Sequence, residues 1–237
     1  MTPMTQEHPF PGAADGNATA LERDGFVWVR NVLSAAERQA LLRALGDPAG
    51  AGSRGLLGLP AVREWAQSKT LASLVSAHLG PSARPVRAIF FDKSATSNWL
   101  VPWHQDVTLA VARPVEAPGF GPWSLKDGIP HVQAPGEWLS RMLTVRLHLD
   151  DCDASNGALR VIPGSHRHGR LESAQIPAIR EATAELLCTA LAGDALLMRP
   201  LLLHGSSKSM SRSRRRILHL EYCSGTLPAG MEWHDAA

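Results

Sequence analysis

Two histidines and one aspartate have the residue types and the spacing to bind a metal ion. His104 and Asp106 stand two residues apart, and His204 follows much later in the chain. On a β-strand, residues i and i+2 project from the same face, so an imidazole and a carboxylate could reach one ion there while Gln105 points away. A second histidine from a distant strand would complete two nitrogens and one oxygen on one side of a metal. That ligand set is typical of non-heme Fe(II) oxygenases.

Arg215 adds a second chemical group to this pattern. An iron site of this kind can use 2-oxoglutarate, which chelates the metal at one end and carries a free carboxylate at the other. The planar fork of arginine suits such a carboxylate. The run that ends at His204 is predicted to be a buried strand, and Arg215 opens the next run, Arg215–Tyr222. Two neighbouring antiparallel strands would bring His204 and Arg215 within one cosubstrate length of each other.

Four segments carry a resemblance to a known family. They are Asp24–Val29, Asn98–Asp106, Asn156–His166 and the stretch from His204 to Arg215. Through them the chain resembles the phytanoyl-CoA dioxygenase family of Fe(II)/2-oxoglutarate oxygenases, from about Leu21 to the C-terminus.

The resemblance implies a role for each matching residue. It implies iron on His104, Asp106 and His204, and the far carboxylate of 2-oxoglutarate on Arg215 and the hydroxyl of Ser206. Fe(II), 2-oxoglutarate and O2 are then the expected cofactors, with no catalytic side chain beyond the iron ligands. Related halogenases have a small residue in place of the carboxylate ligand. Asp106 therefore favours hydroxylation of an unactivated C–H bond in a small organic substrate, with succinate and CO2 as coproducts. Desaturation and ring closure stay open as alternative outcomes.

Short strands separated by turns predict an all-β core with flanking helices. Ser34 and Glu37 form a capping box before a helix over Ala35–Leu45, and Ala61–Leu79 is predicted to hold one or two more helices. The predicted strands are about Val86–Asp92, Val101–Val111, Leu143–Leu149, Ala158–Ile162, Ala195–His204 and Arg215–Tyr222. A double-stranded β-helix, the jelly roll that cupins share, fits this order best.

The strand Leu143–Leu149 alternates between apolar and polar residues. Its polar face, if it lines the barrel, would let Thr144 contact 2-oxoglutarate and Arg146 contact the cosubstrate or an acidic substrate. A solvated polar face is the alternative for both residues, and it is the interpretation that we favour for His148.

Some residues keep open roles at this point. Lys93 and Asn98 precede the metal-binding segment, and either could reach the site. His166 and His168 also stand two residues apart, but they follow a Pro-Gly turn among arginines, which is typical of a solvated loop.

Residues 1–20 are predicted to be a flexible tail, and residues 21–237 a single double-stranded β-helix domain. A Pro- and Gly-rich insert, residues 113–141, is predicted to be a lid over the site. Trp123 and His131 lie in this insert and are predicted to contact the substrate.

Composition limits the classes of partner. The formal charge of +2, from 24 basic and 22 acidic residues, does not indicate nucleic acid or membrane as a partner. The 3 cysteines lack metal-site or disulfide spacing, and neither a signal peptide nor a membrane span is apparent, so a cytoplasmic location is expected. The oligomeric state stays open. A cupin-like protein that binds a metal or small ligand without turnover is the alternative function, and Arg215 argues against it.

Overall fold

Two antiparallel β-sheets face each other in the computed structural model, which describes residues 14–48 and 50–235. The strands are β1 (Phe26–Val29), β2 (Gly52–Ser53), β3 (Arg84–Lys93), β4 (Val101–His104), β5 (Thr108–Ala110), β6 (Trp123–Lys126), β7 (Ile129–Gln133), β8 (Met142–His148), β9 (Leu159–Val161), β10 (Leu186–Cys188), β11 (Ala195–Met198), β12 (His204–Ser206) and β13 (Arg215–Cys223). The helices are α1 (Ala14–Asp24), α2 (Ala35–Leu45), α3 (Pro60–Ala66), α4 (Lys69–Leu79), α5 (Gly136–Leu139) and α6 (Ile176–Ala182).

The large sheet has the strand order β1-β11-β8-β13-β3-β2, and the small sheet has the order β10-β9-β12-β4. Strands that are distant in sequence lie side by side, as when β13 pairs with both β3 and β8. This arrangement is the double-stranded β-helix predicted from the sequence.

Helices cover the outer face of the large sheet. Alternate residues of its central strands, such as Phe90, Leu147 and Leu218, are fully buried in one apolar cluster with residues of α2, α3 and α4. The capping box at Ser34 and Glu37 forms as predicted and starts α2. Because the apolar face of the sheet packs outward against helices, its other face is free to carry polar residues into the space between the sheets.

The predicted tail overlaps a helix. Residues 14–20, which were assigned to the flexible tail, lie in α1, and the rest of the tail lies outside the described residues. Within the described part of the chain, no helix is long and apolar enough to cross a membrane.

The insert, residues 113–141, is an ordered part of the fold. Its strands β6 and β7 form a hairpin that continues through β5 into a small three-stranded sheet. An apolar cluster that includes Val132, Trp138 and Trp233 packs beneath this sheet.

The predicted strand Ala195–His204 is wrong as a single element. It splits into β11 in the large sheet and β12 in the small sheet. Pro200 cannot donate a ladder hydrogen bond, and the chain turns there, with the Leu202 amide donating to the Arg199 carbonyl at 3.0 Å. The apolar run Leu201–Leu203 is therefore a buried crossover between the sheets, which hydrophobicity alone does not distinguish from a strand.

The predicted strand Val101–Val111 also splits, directly after His104. The Gln105 side chain points away from the metal ligands, as predicted, and its amide nitrogen donates to the carbonyls of Leu201 at 2.7 Å and Gly169 at 2.9 Å. Its amide oxygen accepts from the Leu171 amide at 2.8 Å. Gln105 thus ties the end of β4 to the crossover that leads into β12.

Replacing Gln105 should test this tie. Gln105→Leu leaves two carbonyls and one amide without their partner, and it should lower the free energy of unfolding by about 2 to 4 kcal/mol. Urea unfolding followed by circular dichroism measures the change. Gln39→Leu, at an exposed position of α2, is the matched control and should stay within about 0.5 kcal/mol of the wild type. Equal effects of the two substitutions would contradict the structural role of Gln105.

Candidate metal centre

His104 and His204 lie directly opposite each other on the paired strands β4 and β12. Their ring centroids are 4.3 Å apart. Asp106 lies just beyond the end of β4, with Oδ1 at 3.5 Å from the Nε2 atom of His104 and Oδ2 at 3.6 Å from the Nε2 atom of His204. One ligand atom from each residue lies within 4.8 Å of the others, which is the spacing needed to bind one ion.

Backbone carbonyls orient both imidazole rings. The Nδ1 atom of His104 lies 2.8 Å from the Pro102 carbonyl, and the Nδ1 atom of His204 lies 2.9 Å from the Leu202 carbonyl. A carbonyl only accepts, so the proton of each neutral ring is assigned to Nδ1, which donates. Each Nε2 lone pair then faces Asp106, as metal ligation requires.

The charges of the three residues suit a divalent cation. Burial acts to raise the pKa of Asp106, but the two histidines outweigh it and hold that pKa well below its usual value. Burial lowers the pKa of His204 to about 4, so this ring is neutral near pH 7. Burial also acts to lower the pKa of His104, but Asp106 raises it above the usual value overall. The buried Oδ2 atom of Asp106 has no hydrogen-bond partner, as expected of a carboxylate oxygen that faces a metal position.

The centre opens to solvent on one side. The side chain of His104 is 40% exposed and that of Asp106 is 29% exposed, whereas that of His204 is only 4% exposed. A small molecule can therefore approach past His104 and Asp106.

Arg215 faces this centre from the opposite sheet. The predicted arrangement, with the strands of His204 and Arg215 as neighbours in one sheet, is wrong: β12 belongs to the small sheet and β13 to the large sheet. The crossover between sheets explains the difference. Arg215 is buried, and its Nη1 atom donates to the Gly157 carbonyl. Its Nε atom has no hydrogen-bond partner among the residues that the structure describes.

Lys93, whose role the sequence left open, lies beside Arg215. The two residues are paired across β3 and β13. The Lys93 ammonium donates to the Ser206 hydroxyl at 3.0 Å and to the Ser207 carbonyl at 2.6 Å. Burial and the charge of Arg215 lower the pKa of Lys93 to about 7. Ser206, predicted to help bind 2-oxoglutarate, is therefore held by a lysine at the Arg215 end of the site.

The polar face of β8 lines the space between the sheets, as the alternation predicted. Arg146 is buried and donates from Nη1 to the Nδ1 atom of His219 at 2.9 Å. Thr144 lines a small cavity together with Asp106, so it lies at the metal end rather than the Arg215 end. The solvated interpretation of His148 is wrong. Its ring is buried 5.5 Å from the ring of Trp28, and neither nitrogen has a hydrogen-bond partner.

Sequence reasoning missed a buried network beside the centre. Arg87 donates to Oε1 of Glu221 at 3.0 Å and contacts Nε2 of His131 at 3.1 Å. Nε2 of His219 lies 3.3 Å from the same oxygen of Glu221. The alternation along β13 could have revealed this network. Arg215, His219 and Glu221 are separated by even numbers of residues, so their side chains lie on the same, inward face of the strand.

The remaining predicted residues lie elsewhere. His131 is engaged with Arg87, and Trp123 packs against the apolar cluster under the insert. Their predicted contacts with substrate stay predictions. Asn98 exchanges two hydrogen bonds, each 2.8 Å, with the backbone of Ser209, so it joins two loops.

Solved structures share this fold across nearly the whole chain. EctD from S. alaskensis with bound Fe is 19% identical, with a TM-score of 0.69 over 99% of this chain and 86% of that chain. The epimerase SnoN in complex with Fe3+, alpha ketoglutarate and nogalamycin RO is 17% identical, with a TM-score of 0.68 over 92% and 91% of the two chains. The alpha ketoglutarate dependent carbocyclase SnoK from nogalamycin biosynthesis is 15% identical, with a TM-score of 0.66 over 91% and 87%. No curated protein sequence matches the chain significantly.

The identities to these structures are low and show only a shared fold. A match to a family model shows the family. Residues 21–217 match the model described as phytanoyl-CoA dioxygenase (PhyH). The matched range contains His104, Asp106, His204 and Arg215. The resemblance predicted from the sequence is confirmed: this chain belongs to the phytanoyl-CoA dioxygenase family of Fe(II)- and 2-oxoglutarate-dependent oxygenases.

Proposed function

We propose that this protein is an Fe(II)- and 2-oxoglutarate-dependent dioxygenase that hydroxylates an unactivated C–H bond of a small organic substrate. The observation that carries the proposal is the orientation of two Nε2 lone pairs and one unpartnered carboxylate oxygen toward a common point. Two nitrogens and one oxygen would hold iron and leave positions for the cosubstrate and O2.

The metal and the protein divide the work. Bound iron supplies the redox chemistry, in which one oxygen atom of O2 goes to 2-oxoglutarate, giving succinate and CO2, and the other goes to the substrate. The protein holds the ligands in a fixed tautomer through the carbonyls of Pro102 and Leu202.

Arg215 is the proposed partner of the far carboxylate of 2-oxoglutarate. Its guanidinium is buried, and its Nε atom has a free donor. Lys93 holds the Ser206 hydroxyl beside it and adds another N–H donor at this end. A charge-assisted pair in so dry a place is stronger than one in solvent, which supports a cosubstrate oriented with its far end on Arg215.

Hydroxylation is proposed over other outcomes because a carboxylate, Asp106, completes the ligand set, so a halide has no ligand position to take. Structures similar to this one include an epimerase and a carbocyclase, so the substrate and its pose decide which bond changes. The insert is proposed to choose the substrate, because Lys126 and Thr108 of its small sheet lie on the Asp106 side of the centre.

Removing a ligand should abolish metal binding. His104→Ala or His204→Ala should lose most Fe(II) binding and all succinate formation from 2-oxoglutarate, because two ligands hold iron weakly. Asp106→Asn should fold but bind iron poorly. Anaerobic metal titration and succinate assays measure both properties. His168→Ala, at an exposed position, is the control and should behave as the wild type. Normal turnover in either histidine variant would disprove the assignment.

Metal affinity should depend on pH through His104. Its pKa is raised, whereas that of His204 is lowered to about 4, so the first proton that competes with the metal enters at His104. Fe(II) affinity should be constant at alkaline pH and should fall by about tenfold per pH unit once the pH drops below the pKa of His104. Anaerobic titrations across about pH 3 to 9 test this. An affinity that falls only near pH 4 would assign the competing proton to His204 instead.

Arg215 should control the cosubstrate and not the metal. Arg215→Met should raise the 2-oxoglutarate concentration for half-maximal succinate formation by about ten- to a hundredfold, because the charge-assisted pair is lost. It should leave Fe(II) affinity nearly unchanged, because the other bond that is lost, to the Gly157 carbonyl, does not involve His104, Asp106 or His204. Arg212→Met, in the exposed loop before β13, is the control. An unchanged 2-oxoglutarate requirement would move the carboxylate partner to another residue. A metal-loaded wild type that never produces succinate would support the non-catalytic binding protein instead.

A further inference from the structure

The space between the two sheets holds more positive than negative side chains. Among the described residues, the cations that face it are Arg87, Lys93, Arg146 and Arg215, and the anions are Asp106 and Glu221. All are buried apart from the part-exposed Asp106. Buried charge is costly unless an opposite charge offsets it, so each cation requires a partner.

The described anions are already engaged. Glu221 pairs with Arg87 at 3.0 Å, and both side chains are buried. Asp106 lies between the two histidines of the metal centre. Neither carboxylate forms an ion pair with Arg146.

The only hydrogen bond of the Arg146 guanidinium among the described contacts joins it to a neutral group. Nη1 of Arg146 donates to Nδ1 of His219, so the proton of that ring is on Nε2, which donates to Glu221. Within the described residues the Nε atom of Arg146 has no hydrogen-bond partner, and the guanidinium lies 5.7 Å from the centroid of the Phe91 ring. Arg146 is therefore a buried cation that forms no ion pair in this part of the chain, although the charge of Asp106 acts on it.

The cofactors of the proposed function, on which this step rests, do not offset the charge of Arg146. The two positive charges of Fe(II) balance the two negative charges of 2-oxoglutarate, so Asp106 is the one anion left among the described residues for the two charges of Arg146 and Arg215. Lys93 can lose its proton, because its pKa is about 7. Arg146 keeps its charge at neutral pH. One positive charge in the site therefore stays without a matching negative charge, whether Arg146 contacts Asp106 or 2-oxoglutarate.

A second cation without a carboxylate partner lies at the mouth of the site. Lys126 of β6 donates to the Thr108 hydroxyl at 3.2 Å and forms no ion pair among the described residues. Thr108 and Asp106 line the same small cavity. Lys126 is half-buried beside this cavity, on the Asp106 side of the metal centre, which is the side that is open to solvent.

We propose that the substrate is a small molecule with a carboxylate group, which Arg146 binds inside the site and which Lys126 attracts at its mouth. The carboxylate supplies the missing negative charge, and the free donor on Nε of Arg146 supplies the contact. Positive groups at the entrance also speed the arrival of an anion, in a way that salt weakens.

Paired compounds test this proposal. Protein loaded with Fe(II) and 2-oxoglutarate without O2 is mixed with a panel of small aliphatic and aromatic carboxylic acids and with the primary amide of each acid. Thermal unfolding reports binding. At least one acid should stabilise the protein at a concentration about ten- to a hundredfold below that of its amide. Amides that bind as well as their acids, or a panel without any acid preference, would overturn the proposal.

Variants locate the anion site. Arg146→Gln should remove the preference for the acid, Arg146→Lys should retain part of it, and Lys126→Gln should weaken acid binding several-fold at low salt and less at high salt. Lys69→Gln, at an exposed position on α4, is the matched control for Lys126. An acid preference that survives in Arg146→Gln would overturn the assignment of Arg146.

Calorimetry of Fe(II) and 2-oxoglutarate loading precedes each panel. If the wild type does not load, the proposed function fails rather than this inference. If Arg146→Gln loses 2-oxoglutarate binding but keeps the acid preference, Arg146 serves the cosubstrate and the inference is wrong.

Discussion

Burial of charge between two β-sheets is the constraint on which the rest of this structure depends. The large sheet turns its apolar face outward, where α2, α3 and α4 cover Phe90, Leu147 and their neighbours. Because the outer face forms the main core with these helices, the inner face can carry arginine and lysine. If the inner face had to form the core instead, it would be apolar, and the space between the sheets would hold no buried arginine or lysine.

Fixed hydrogen bonds make this charged interior tolerable. Carbonyl groups hold His104 and His204 in one tautomer, and Arg146 and Arg87 each donate to a neutral histidine ring. Glu221 accepts from both Arg87 and His219, so one carboxylate satisfies two neighbours. A chain of such bonds leaves few rotamers open, and so the groups that remain without partners point in defined directions.

How much of this the sequence could predict depends on the kind of signal. Alternation along β8 and β13 identified Thr144, Arg146 and Arg215 as one inward face, because the pattern is local and repeats every two residues. The cluster of His104, Asp106 and His204 was predictable for a similar reason, since three residue types in a recognisable sequence context limit the chemistry. The capping box of α2 is also local, and it forms as predicted.

Features that depend on contacts between segments distant in sequence were not predictable from the local pattern. Hydrophobicity continues through Leu201–Leu203, yet the chain changes sheets there, because Pro200 interrupts the ladder and Gln105 pins the turn from another segment. The position of Lys93 was not predictable for the same reason. It follows from the pairing of Lys93 with Arg215 across two strands that are far apart in sequence. His148 looked solvated because its own strand does not reveal that Trp28 covers it.

The crossover has a consequence for how ligand binding and stability are coupled. His104 and His204 lie on the small sheet and Arg215 on the large sheet, and all three side chains point into the space between the two sheets. A molecule that bridges this gap links the two sheets, offsets buried charges on both and satisfies donors that are otherwise without partners. Each such group destabilises the fold when it has no partner and contributes affinity when a ligand supplies one. In the described part of the chain, the Nε atoms of Arg146 and Arg215 and the Oδ2 atom of Asp106 have no hydrogen-bond partner. Under the proposed function these three groups lower the stability of the free protein and contribute affinity when a ligand supplies their partners.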